Sequence, residues 1–308
     1  MRKSTLTTRW ITFATSIFLL MPVAIVHAQP VVEFEEKLDF SRPEAWAMKY
    51  FGSMNLLTGF GSPRPSRAGT IDVGLEIDWV PSLSDAQRTV GFEGTKLEDL
   101  NKTSVFIRPW FAFGLPNDFS LTLTYVPPVN AFGVKPHLFG AAIGRPVYQG
   151  ERWRLGLRGY GQFGTIEGDF TCDEETVAAG SDPIRNPFDC REVSEDKYRL
   201  GSFGAEVSSA FRADAAGKLE PYVGVAFNYL DANFQVNARY SGLIDRTLLL
   251  ADGFTVSITG GVSYAITERF SISGEVFYSP LDVIRPPSTA GQNDGLLNIR
   301  SLVTYRIR

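Results

Sequence analysis

From Gly69 onward, apolar and polar positions alternate in segment after segment with the period of two that a pleated strand imposes. In the first segment Ile71, Val73, Leu75, Ile77 and Trp79 share one face, opposite Asp72, Gly74, Glu76 and Asp78. The last sets Leu297, Ile299, Ser301, Val303, Tyr305 and Ile307 against Asn298, Arg300, Thr304 and Arg306. Eight more lie between them, with apolar faces running Val105 to Phe113, Phe119 to Tyr125, Leu138 to Pro146, Trp153 to Phe163, Phe203 to Phe211, Pro221 to Tyr229, Phe254 to Tyr264 and Phe270 to Tyr278. The fold class predicted is all-β, an antiparallel barrel of about ten strands. Phe234, Val236, Ala238 and Tyr240 alternate too, as an extension of the seventh strand or, alternatively, part of a twelve-strand barrel.

Charge is sorted to one side of the strands. Asp72, Glu76, Asp78, Arg108, Arg145, Arg154, Arg158, Glu206, Glu275, Arg300 and Arg306 fall opposite the apolar faces. A soluble barrel would turn the apolar set inward and a membrane barrel would turn it to lipid. The aromatics choose between the two. Trp79, Phe113, Phe119, Tyr125, Trp153, Tyr229, Phe254, Tyr264, Phe270, Tyr278 and Tyr305 lie on apolar faces near strand ends, where rings meet lipid headgroups. Connections alternate as well. Short turns such as Gly114 to Asp118, Gln149 to Arg152, Ala213 to Lys218 and Thr267 to Arg269 alternate with five longer loops, the third and fourth expected to be the longest. That asymmetry is the one between periplasmic turns and extracellular loops, and it points both barrel ends into the periplasm.

The segment before the barrel, residues 1–28, opens on Arg2 and Lys3, continues as an apolar stretch and reaches Val26-His-Ala28, the outline of a cleaved secretory signal peptide. The 280 residues that follow position 28 of 308 are enough for ten strands of about 10 residues each with their loops. With Lys plus Arg at 30 against Asp plus Glu at 34, no basic excess exists to neutralise phosphates, so nucleic acid is not an expected partner. Cys172 and Cys190 fall together in the third long loop of an exported chain and are expected to form a disulfide.

Residues 29–68 do not alternate. Ser41-Arg-Pro-Glu44 offers an N-cap, an early proline and a capping-box glutamate, followed by Trp46, Tyr50, Met54 and Leu57 at helical spacing. A short amphipathic helix is predicted, ended by Gly59-Phe-Gly61-Ser-Pro63. Two placements stay open: a periplasmic helix against the barrel rim, or a plug in the lumen.

Three motifs bear on chemistry. Gly159-Tyr-Gly161-Gln-Phe-Gly164 matches a dinucleotide fingerprint in letters only, since it lies within a strand with no helix behind it to receive a pyrophosphate. His137, the single histidine beyond residue 28, opens the fourth strand at the outer rim, where a hydrolase would place a base, but no nucleophile signature accompanies it. Asp169, Asp173, Glu174, Glu175, Asp182 and Asp189 make the third loop acidic without the spacing of a calcium loop, so no metal or cofactor is expected.

The candidate site is the inward charge set. Asp72, Glu76 and Asp78 of the first strand are expected beside Arg300 and Arg306 of the last, with Arg108, Arg154 and Arg158 facing Glu206 and Glu275 around the wall. Such a set either fills a narrow lumen with ion pairs or lines a small pore; for ten strands a mostly filled lumen is expected.

On its alternation, aromatic girdles and loop asymmetry, the chain from about residue 69 to 308 resembles the outer-membrane β-barrel proteins of Gram-negative bacteria. The resemblance implies a location in the cell outer membrane, with membrane lipid and the barrel-assembly machinery as partners. These proteins commonly finish on an aromatic, whereas this sequence finishes Tyr305-Arg-Ile-Arg308, leaving that role to Tyr305 or Ile307. The function expected is a non-enzymatic, porin-like barrel, structural or a narrow channel with a charged lumen. The alternatives are a transporter of small apolar solutes gated by the N-terminal helix, and a rim hydrolase using His137.

Overall fold

The computed structural model describes residues 29–131 and 133–308. The expected signal peptide therefore lies outside the described residues. Ten strands form the wall: β1 (Ile71–Trp79), β2 (Val105–Gly114), β3 (Ser120–Val126), β4 (Val134–Gln149), β5 (Trp153–Gly168), β6 (Asp196–Phe211), β7 (Leu219–Gln235), β8 (Leu248–Ala265), β9 (Phe270–Ser279) and β10 (Leu296–Arg306). Each pairs antiparallel with the next, and β10 returns to β1 with Arg306 opposite Asp72 and Arg300 opposite Asp78, so the barrel is closed. Closure leaves no edge strand with unpaired backbone groups, which a bilayer requires.

Alternation sorts the side chains as expected. Leu75, Ile107, Leu123, Leu157, Val225, Ile258 and Ile299 face out and are exposed, whereas Glu76, Arg108, Thr124, Ala226, Ser257 and Arg300 face in and are buried. Rings stand side by side around the outer girdle: Tyr125 and Phe139 stack at 4.6 Å, Phe139 and Phe163 at 5.7 Å and Phe203 and Tyr229 at 5.2 Å, and Tyr229 meets Phe254 edge to face at 5.1 Å. Trp153 and Phe211, 4.9 Å apart, mark the opposite girdle. An exterior that is apolar in the middle and aromatic at two levels, around a charged interior, is the surface of a transmembrane β-barrel of the outer-membrane type.

One strand faces the other way from the expectation. In β4, Leu138, Ala142 and Pro146 point inward and Phe139, Ile143 and Val147 point to lipid. A one-residue slip exchanges the faces of a strand, and here both faces are apolar, so alternation alone has little to choose on. Arg145 consequently leaves the inward set. It lies exposed on the outer face near the short-turn end, its guanidinium 5.0 Å from the Phe119 ring.

The short turns 115–119, 150–152, 212–218 and 266–269 occupy one end, and the loops 80–104, 127–133, 169–195, 236–247 and 280–295 the other. The fourth loop is shorter than expected because β7 and β8 stay paired up to Gln235 and Leu248. Ala238–Tyr240 is neither a wall strand nor an extension of β7. It joins Leu243–Asp245, Cys190–Glu192 and Val31–Val32 in a small sheet over the outer end. Glu35–Lys37 adds, parallel, to the outer end of β8.

Helix α1 (Pro43–Met54) follows and lies in the outer mouth. Its cap is Arg42 rather than Ser41: proline disfavours helical φ/ψ in the residue before it, so Arg42 is extended and only its carbonyl joins the helix, accepting from Trp46 N–H at 2.8 Å. Ser41 turns to Asp39 instead. Nor is α1 amphipathic in its surroundings: every residue but Phe51 is buried, Glu44 and Lys49 included. From Asn55 the chain descends inside the barrel to enter β1 at the short-turn end.

Candidate functional site

The lumen is occupied by backbone held by wall charges. The segment that follows α1 has no ladder to satisfy its backbone carbonyls, and wall arginines supply donors to them. Arg108 donates from Nη1 to the Asn55 carbonyl at 2.7 Å and from Nη2 to that of Leu56 at 3.3 Å. Arg300 Nη1 donates to Thr58 O at 3.1 Å, and Arg158 Nη1 to Gly59 O at 2.9 Å. In the other direction, Gly59 N–H donates to both Glu206 carboxylate oxygens at 3.2 Å. Gly59, Phe60 and Gly61 take the left-handed conformation in succession. This turns the Phe60 ring under the Arg158 guanidinium, 4.5 Å away.

Each arginine is also set by a carboxylate or an aromatic face. Arg108 forks onto Glu76, Nε to Oε2 at 2.7 Å and Nη2 to Oε1 at 2.8 Å, both residues almost wholly buried. Arg300 lies 3.5 Å from Glu275 Oε1 and 4.0 Å above the Phe277 ring, and Glu275 accepts from Tyr222 OH at 2.7 Å. Further down, Arg154 meets Glu220 at 2.7 Å, and Glu220 also takes Arg64 Nε at 2.7 Å and the Ser62 hydroxyl from the descending segment.

The predicted charges thus sit inside the barrel, with partners partly different from those expected. At the β1/β10 seam Asp72 meets Arg306 at 2.8 Å, and Asp78 lies 3.9 Å from Arg300 Nε with no hydrogen bond to either oxygen. Glu76 turns away from the seam to Arg108 on the other side of β1. Arg154 pairs with Glu220 rather than Glu206 or Glu275. Glu220 is an inward residue beyond the predicted set, alternating between Leu219 and Pro221 at the start of β7. The role of the strap, residues 55–64, has no periodicity to announce it.

A cavity of about 560 Å³ opens above α1 at the outer end. Ala47, Met48 and Phe51 of α1 form its floor, Phe170, Phe234 and Leu249 part of its wall, and the exposed Phe34 and Phe92 its rim. Its ionisable acid and base lining is Arg42 and the carboxyls of Glu36, Glu44, Glu93, Glu98 and Asp245. Burial among these walls pushes the Glu98 carboxyl up to about 8, and desolvation beneath Phe40 brings the Lys49 amine of α1 down to about 8.

The remaining sequence motifs take structural places. His137 faces outward in the girdle, its ring 5.8 Å from that of Tyr125 and 5.0 Å from that of Phe139. Cys172 and Cys190 are joined, and the bridge closes the third loop over the mouth. In that loop Asp173 caps a short helix through Thr176 N–H at 2.7 Å, and Asp169 pairs with Lys102 at 2.7 Å. Among the described residues no group of three or more His, Cys, Asp or Glu is arranged to hold a metal ion.

No protein-family model and no curated protein matches this chain. Solved structures do. An outer membrane channel from Pseudomonas putida F1 is 10% identical over 82% of this chain and 100% of its own, with a TM-score of 0.41. The outer membrane protease OmpT from Escherichia coli is 10% identical over 77% and 92%, with a TM-score of 0.38. The toluene transporter TodX from Pseudomonas putida is 11% identical over 87% and 92%, with a TM-score of 0.32. These are likenesses of barrel type, and the reading of this chain as an outer-membrane barrel stands on its own closed wall and apolar belt.

Proposed function

We propose that this barrel captures small apolar solutes at the cell surface and that α1, with the strap below it, gates their passage. The observation that carries the reading is the outer cavity, which is large enough for a small-molecule ligand, predominantly apolar, and floored by a helix rather than by the wall. An exposed apolar concavity facing water is costly unless it is used. Below that floor the lumen is filled, so a bound solute advances only when α1 and the strap move. The test is equilibrium binding of naphthalene to the protein in lipid nanodiscs, beside Ala47→Trp and Leu249→Trp, which place an indole in the cavity. Binding is expected in the parent and should fall about tenfold or more in both variants, the scale of losing a well-buried aromatic contact. Equal binding by all three would remove the cavity from the function.

The filled lumen itself favours a second reading, a purely structural barrel. That reading expects no saturable binding.

A further inference from the structure

The outer cavity carries a chemical bias that an apolar pocket does not need. Four carboxylates, Glu36, Glu44, Glu93 and Asp245, and the Glu98 carboxyl that burial holds mostly protonated at pH 7 line it against one cation, Arg42. That cation is already taken: Arg42 donates to Glu36 and to Glu44, and Glu93 lies 4.0 Å away. Glu98 has Lys96, which sits behind the wall and also donates to Thr171 O. Asp245 accepts from Tyr240 OH and from Thr247 N–H and Oγ–H, at 2.8 and 2.6 Å for the latter two, all neutral donors. The lining therefore keeps a net negative charge, and no cation there is free for an anionic head group.

The apolar part of the wall is aromatic in the same region. Phe51, Phe170 and Phe234 meet in series, with centroids 5.7 and 5.9 Å apart, and Phe92 and Tyr240 meet edge to face at 5.6 Å. Ring faces and uncompensated carboxylates both attract a cation, and in a pocket partly withdrawn from water both effects are larger than at an open surface.

We propose that the cavity selects apolar molecules carrying a protonated amine and discriminates against carboxylates of the same size; this rests on the reading above that the cavity is the capture site. The amine would lie between the aromatic wall and the Glu93/Asp245 side, with the apolar body over Met48 and Phe51.

Three nearly isosteric probes test this in zwitterionic nanodiscs at pH 7, by calorimetric titration: 4-phenylbutylamine, 4-phenylbutan-1-ol and 4-phenylbutyrate. The amine should bind roughly fivefold or more tightly than the alcohol, and the acid about tenfold more weakly than the alcohol. Raising the salt should shrink the amine's advantage. Glu93→Gln with Asp245→Asn should reduce that advantage to about twofold while leaving the alcohol's affinity within about twofold. Because Asp245 organises its loop, Glu93→Gln alone, an exposed position, is the second variant and should give part of the same loss. Equal affinity for acid and alcohol, or an amine advantage indifferent to salt and to Glu93→Gln, would overturn the selectivity and leave the capture site standing. Absence of binding by all three, or binding that Ala47→Trp does not weaken, would overturn the capture site and the selectivity with it.

Discussion

Gly59 shows how much of the lumen depends on one position. Its φ of +79° is a conformation side chains resist, and a Cβ there would lie 2.3 Å from Glu275 Oε1. Gly69 has a similar φ of +83° with nothing within 4 Å of its would-be Cβ. Gly59→Ala is therefore expected to cost about 2 to 4 kcal/mol and Gly69→Ala about 1, since only the first adds an overlap with a buried carboxylate to the left-handed strain. Urea unfolding followed by tryptophan fluorescence compares them, and equal costs would mean that the strap is not held against Glu275. The Glu76/Arg108 fork gives a sharper test. Glu76→Gln or Arg108→Met alone leaves one buried charge without its partner and should cost about 3 to 5 kcal/mol. The double variant should cost less than the two together, with a coupling of about 1 to 3 kcal/mol, and strict additivity would show that the two residues do not act as a pair.

At the scale of strands, the sequence displays what it pays the chain to repeat: a face in lipid must be apolar along its length, so nine wall strands were legible with the correct face outward. β4 was not, because its inward face had to be small and apolar where Gly140 lies against Leu57 of the strap, a contact between segments 83 positions apart that no local pattern contains. The same limit hid the partners in the lumen. Alternation could place Glu76, Arg108, Arg158, Glu206 and Arg300 inside but not say that the three arginines would be aimed at backbone carbonyls of residues 55–59. Arg145, which β4 turns to the outside beside Phe119, shows that the belt tolerates a cation at its margin, where the side chain can reach headgroups. Depth should then decide the cost of a new one. Val225→Arg, mid-strand in β7, should cost about 2 to 4 kcal/mol, and Leu219→Arg, at the short-turn end of the same strand, about 0 to 1. Refolding into lipid vesicles across a denaturant series measures both, and a cost independent of depth would contradict the placement of the belt.

For the whole molecule the decisive question is what closes the lumen: α1 across the mouth, the strap through the middle, or the wall side chains alone. Ten strands enclose only somewhat more than the eight-strand barrels whose interiors side chains fill, so the strap's backbone takes up space the wall of β1–β10 would otherwise leave to water. Its contacts with Arg108, Arg158, Arg300 and Glu206 lie below α1 and do not involve the helix. Planar-bilayer recordings on three forms separate the possibilities. The intact protein is expected to show no steady conductance. Removing residues 29–54 takes away α1 and the outer pairings but keeps the strap, and should give at most brief, small openings. Removing residues 29–68 takes the strap as well and should give stable ohmic steps, because wall arginines and carboxylates left without the backbone groups they now hold would be hydrated. Steady current through the intact protein would show a water path past the strap and defeat the gate. Silence in all three, with the barrels shown to be folded by heat-modifiable mobility on gels, would mean that the wall side chains close the lumen by themselves and that α1 and the strap are ballast rather than a door.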